Sequence, residues 1–79
     1  MNGGIIMVKL LDIINEIKET KGENLLTSLD KDMKLRDDLG LDSFDLALLT
    51  AKIEDEFDID VFEDGLIETI GEILIKLEK

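Results

Sequence analysis

The chain has 79 residues, 20 of them acidic and 9 basic, for a formal net charge of −11, and it contains neither cysteine nor histidine. That length suits one small domain. The missing residue types exclude a disulfide framework, a thiol nucleophile, a Ser-His-Asp triad and a Cys/His zinc site, and the acid excess opposes nucleic acid and anionic lipid.

Gly4-Ile5-Ile6-Met7-Val8 is apolar but short and runs into Lys9, so it is neither a secretory signal nor a membrane span. Residues 1–7 read as a leader, either disordered or preceding an alternative start at Met7. A helical domain is expected over 8–79, in a cytoplasmic protein without membrane insertion. Leu10, Ile13, Ile14 and Ile17 recur at i, i+3, i+4 and i+7, which predicts a helix from about Val8 to Thr20, with Gly22 at its stop.

From Gly22 to Asp42 no period is evident. A loop this long in a small domain is functional or packed by its own side chains. Leu25, Leu26, Leu29, Met33, Leu35, Leu39 and Leu41 are spaced to plug it onto a helical core. A second helix is predicted over Ser43 to Phe57. At about 100° per residue, Leu46, Leu49, Ile53 and Phe57 share its core side. Phe44, Leu48 and Ala51 fall opposite, with Ala47 nearby and Asp45, Glu54, Asp55 and Glu56 around them. An apolar strip rimmed by acid is a docking surface in outline.

A short helical turn is expected near Glu63 to Ile67. A third helix should begin near Thr69, where Thr69-Ile70-Gly71-Glu72 has the form of a capping box. Ile70, Ile73, Leu74 and Leu77 form its apolar stripe. No segment alternates as a strand does. The fold class expected is all-α: three main helices and one short one, with a long loop between the first two.

Charge is concentrated. Residues 37–64 hold eleven acids and one base, Lys52, which accounts for −10 of the −11. Inside that field lies Asp37-Asp38-Leu39-Gly40-Leu41-Asp42-Ser43-Phe44. It sets one serine where a turn ends and a helix begins. Asp42 or Ser43 is the helix N-cap. A phosphate ester on Ser43 would meet free N–H groups and the positive end of the helix dipole. With no histidine to activate it, Ser43 is a point where another enzyme attaches a group rather than a nucleophile of its own enzyme. Asp30-Lys31-Asp32 and Asp58-Ile59-Asp60 open like calcium loops, but Lys34 and Phe62 occupy the fifth positions, so no metal site is expected.

Asp38-Leu39-Gly40-Leu41-Asp42-Ser43-Phe44 resembles the acyl carrier protein signature around its modified serine. Glu54-Asp55-Glu56-Phe57-Asp58-Ile59-Asp60-Val61 resembles that family's acidic end of the second helix, and Thr69-Ile70-Gly71-Glu72-Ile73 resembles the start of its last helix. The resemblance implies that a phosphopantetheinyl transferase moves 4′-phosphopantetheine from coenzyme A to Ser43, with Asp42 helping to position the serine. The thiol of that arm then holds acyl groups as thioesters. It further implies that Phe44, Ala47, Leu48, Ala51, Glu54 and Asp55 meet basic-surfaced acyl-transferring, ketosynthase or ligase enzymes. Leu46, Leu49, Ile53, Phe57 and Val61 would line a cleft for the acyl chain, in a monomeric carrier that is not an enzyme.

Phe44 stands where Leu or Met is more usual in that family, Ala51 replaces a larger residue, and Phe62 stands where Pro is common. These departures fit a specialised free-standing carrier. An aminoacyl carrier, peptidyl or D-alanyl, is the nearest alternative. A non-covalent acidic helical adaptor would explain the charge and the apolar strip but not the serine motif.

Overall fold

The computed structural model describes residues 3–63, 65 and 67–77. Three helices account for its regular structure: α1 (Gly3–Thr20), α2 (Ser43–Phe57) and α3 (Ile70–Leu77). No strand is assigned among the described residues, and α1 packs against both α2 and α3.

The first helix begins at Gly3, five residues before the expected start near Val8. Ile6 is fully buried and extends the stripe of Leu10, Ile13, Ile14 and Ile17 by one turn. Residues 3–7 are therefore helical and continuous with α1 rather than disordered; Met1 and Asn2 lie outside the described residues. The stop falls where expected. Gly22 takes a left-handed conformation, φ 74°, which glycine adopts without steric cost. Gly22 N–H then reaches Glu19 O (3.0 Å) and Glu23 N–H reaches Lys18 O (2.9 Å), answering two of the carbonyls that a helix end leaves open.

The long loop is packed and bonded along its length. Asn15 on α1 clamps it by a double bond to one peptide: Asn15 Nδ2 donates to Leu26 O (2.9 Å), and Leu26 N donates to Asn15 Oδ1 (2.8 Å). Leu35, Leu39 and Leu41 are buried, and Leu26, Leu29 and Met33 pack against the core half-buried, as their spacing predicted. Leu25 is the exception at 53% exposed; with Leu26 held against α1, its neighbour faces outward. Further on, the loop is stitched to the start of α3. Leu35 N donates to Glu68 O (2.8 Å), Ile70 N to Met33 O (3.0 Å) and Gly71 N to Lys31 O (2.8 Å), around an isolated antiparallel bridge between Lys34 and Thr69.

The start of α3 carries the forward half of the expected capping box, Glu72 N donating to Thr69 Oγ1 at 3.3 Å. Around the expected short helix, Val61 to Glu63 form a turn and Gly65 a bend, while Asp64 and Leu66 lie outside the described residues. Two turn bonds close this stretch, from Glu63 N to Asp60 O and from Gly65 N to Phe62 O.

The Asn15 clamp generates a test. Replacing Asn15 by Ala removes both bonds that hold the loop to α1 at Leu26 and leaves the Leu26 N–H without its partner. Urea unfolding should show a loss of about 1–2 kcal/mol. A change within about 0.5 kcal/mol, as an ordinary surface substitution gives, would mean that the clamp does not stabilise the loop.

Candidate functional site

Asp42 is the N-cap of α2, in extended conformation with φ −93° and ψ −176°. Its Oδ1 accepts from Asp45 N at 2.9 Å, and Asp42 N in turn donates to Asp45 Oδ2 at 3.2 Å. This reciprocal box answers two of the four N–H groups that a helix start exposes. Those of Ser43 and Phe44 remain at the opening. The chain enters the box through Gly40, whose left-handed φ of 71° makes the turn, and Gly40 N donates to Arg36 O at 3.1 Å.

Asp45 does more than cap. The sequence placed it on the rim of the exposed strip, but it is 5% exposed and faces α1. Its Oδ2 accepts from Lys21 Nζ at 2.6 Å. Lys21 Nζ also donates to Gly40 O at 3.1 Å and pairs with Glu23. Beside it, buried Lys18 donates to Leu39 O (3.0 Å) and to Glu23 Oε1 (3.3 Å). Two lysines at the end of α1 thus bind both the turn before the serine and the acid that caps its helix.

The Lys21 hydrogen bond holds the Asp45 carboxyl below its ordinary value of 3.8; burial opposes this, and the Asp42 N–H and the Lys21 charge add to it. Lys21 is raised from 10.5, first by its bond to Asp45, against desolvation, and then by the charges of Asp45 and Glu23.

Ser43 is the first residue of α2 and is exposed. Because Asp42 performs the capping, the Ser43 hydroxyl is not consumed as a cap. It accepts instead from Arg36 Nη2 at 3.0 Å. Arg36 was not anticipated. The available signal was that it is the chain's single arginine, directly before the acidic run. Lys21 was missed because its partner lies 24 residues away.

Phe44 is 79% exposed, and Ala47, Ala51, Glu54 and Asp55 are exposed with it on one face of α2. Leu48 departs from this group and packs half-buried against the core. It lies at i+3 from Asp45 and i−4 from Lys52, and both of those reach α1, Asp45 through Lys21 and Lys52 through Glu16. That flank of the helix is therefore covered.

Of the expected cleft residues, Leu49, Ile53 and Val61 are fully buried, and Phe57 is half-buried against the core. Leu46 alone of the five lines the two cavities near Ser43, each of about 220 Å³. One lies between Leu35, Leu46 and Ile67, the other between Ser43, Leu46, Ala47, Thr50 and Phe62; Arg36 is on the wall of both. Among the described residues, no group of three or more His, Cys, Asp or Glu is arranged to hold a metal ion, and no helix is long and apolar enough to cross a membrane.

The pKa shift of Asp45 has a definite sign. A carboxylate held below its unfolded value stabilises the fold above that value, and the contribution is lost as pH falls through the folded value. Thermal melts of wild type and Asp45→Asn should differ most near neutral pH. The gap should narrow steadily below about pH 4. A gap that is constant across that range would show that the ionised carboxylate is not what Lys21 stabilises.

Comparison with known proteins identifies the family. The family described as the phosphopantetheine attachment site matches residues 8–74. The chain is similar to an acyl carrier protein of Sulfurovum sp. (strain NBC37-1), 34% identical over 71 residues, covering 84% of this chain and 95% of that protein. It is similar as well to an acyl carrier protein of Thermotoga maritima, 36% identical over 73 residues, covering 86% of this chain and 90% of that one. No solved structure gives a significant match. The chain belongs to the phosphopantetheine attachment site family, with the acyl carrier proteins among its relatives.

Proposed function

We propose that this chain acts as an acyl carrier protein, and that Ser43 is the residue that receives 4′-phosphopantetheine. The observation that carries this is the division of labour at the start of α2: Asp42 caps, Asp45 is tied to Lys21, and the Ser43 hydroxyl stays exposed. The surroundings suit a phosphodiester. Two N–H groups and the positive helix end face the position, and the Arg36 guanidinium already touches Ser43 Oγ.

In this reading Ser43 Oγ acts as the nucleophile toward coenzyme A on a transferase that brings its own Mg²⁺. It forms the bond to the phosphorus bearing pantetheine and gives up its proton to the transferase, and the nucleotide half of coenzyme A leaves. The bound arm supplies the thiol that the protein lacks, and that thiol carries acyl groups as thioesters. Asp42 contributes by fixing the backbone on which Ser43 stands.

Phe44, Ala47, Ala51, Glu54 and Asp55 form the docking face, with Leu48 at its margin. A single exposed aromatic ring among acids suits a basic enzyme surface with an apolar pocket. Leu46 heads the acyl cleft, and Leu49, Ile53, Phe57 and Val61 are the apolar interior into which it would deepen. The protein acts as a monomer in the cytoplasm and is a substrate of its partner enzymes rather than an enzyme.

Intact mass after incubation with coenzyme A, Mg²⁺ and a broad-specificity phosphopantetheinyl transferase tests the assignment. Wild type should gain one phosphopantetheine and Ser43→Ala none. Addition to Ser43→Ala, or none to folded wild type while a control carrier is modified, would contradict it.

A further inference from the structure

We propose that Arg36 holds the phosphate of the group carried on Ser43; this rests on the reading of Ser43 as the attachment point. The arginine stands on a turn that is fixed from several sides. Asp38 N and Leu39 N both donate to Lys34 O at 3.0 Å, Lys34 N donates to Asp38 Oδ2 at 2.7 Å, and Leu35 and Leu39 are buried on either side. The backbone that presents Arg36 is therefore rigid, and its Nη2 donates to Ser43 Oγ.

Two of the neighbouring cations are committed elsewhere, Lys21 to Asp45 and Glu23 and Lys18 to Glu23 and Leu39 O, while Lys34 shares the wall of one cavity with Arg36. Among the described residues no carboxylate pairs with Arg36, although Asp37 and Asp38 follow it directly. Its one described side-chain bond is to a neutral hydroxyl.

Esterification of Ser43 Oγ turns that hydroxyl into a negatively charged phosphodiester with two free oxygens. A guanidinium offers planar paired donors that match two such oxygens, and the charged bond is stronger than the one it replaces. Arg36 can make the exchange without leaving its turn. Because it forms part of the wall of both cavities beside Leu46, a phosphate held there roots the arm at the partition between them. Arg36 is thus a positioning residue for the arm, not a catalytic one.

The test uses the phosphopantetheine-loaded proteins, wild type and Arg36→Gln, with Arg36→Lys alongside and loading checked by intact mass. The readout is the ³¹P resonance of the phosphodiester, referenced to the same protein in urea, together with the Arg36 Nε–Hε signal. In wild type the phosphorus should be displaced from the unfolded reference, and the displacement should fall by roughly half or more in Arg36→Gln. Arg36→Lys should retain part of it, since an ammonium supplies charge without the paired donors. The Arg36 Nε–Hε signal should shift on loading. Arg36 is exposed, so the unloaded Arg36→Gln protein should melt like wild type, which keeps the comparison free of folding effects. Full loading of every variant with identical ³¹P positions would overturn the role of Arg36 while leaving Ser43 as the attachment point. Failure of wild type to load would overturn both.

Discussion

One carboxylate organises the start of α2. Asp45 Oδ2 accepts both from Lys21 Nζ at the end of α1 and from Asp42 N at the helix cap. Without Lys21, a nearly buried acid would lie among like charges, at a cost that a small domain can ill bear. With it, the capping box closes, the turn at Gly40 is held by the same ammonium, and the first residue of α2 is fixed relative to α1. Everything distinctive about the site follows from that arrangement, because the residue thereby placed at the helix opening is Ser43.

The consequence is a separation of roles among side chains of similar chemistry. Asp42 and Asp45 spend their oxygens on the backbone and on Lys21, so neither competes with the serine for the space in front of the helix. Glu54 and Asp55, one to two turns beyond Ala51 and Leu48, stay exposed with Phe44 on the opposite side of α2 from its core stripe. The helix therefore offers one face to the core, one flank to α1 and one face to solvent. The two flanking salt bridges, Lys9 to Glu56 and Lys52 to Glu16, reinforce the α1–α2 packing but are partly exposed and contribute little individually.

What the sequence revealed was what local periodicity and spacing encode. The stripes Leu10–Ile17 and Leu46–Ile53, the stop at Gly22 and the serine after an Asp at a helix start all depend on residues within a few positions of each other. The contacts that were not legible join distant segments. Nothing in the surroundings of Asp45 announces a lysine 24 residues earlier, so it was placed with the solvent-facing acids. Leu48 looked exposed because the helical wheel contains no information about where α1 lies. The start of α1 was set late because Gly3 and Gly4 weaken a helical reading, whereas the burial of Ile6 overrides that weak propensity. Arg36 became visible only when the turn brought it onto the serine.

Whether the Asp45–Lys21 lock presents Ser43 for modification is read most directly from the rate of phosphopantetheine transfer to Asp45→Ala. It should be made at a temperature where circular dichroism shows both proteins folded. The kcat/KM should fall roughly tenfold below wild type, with Ser43 still the residue modified, because the nucleophile is no longer held in place. A transfer rate equal to that of wild type would show that the lock stabilises the fold without positioning the serine.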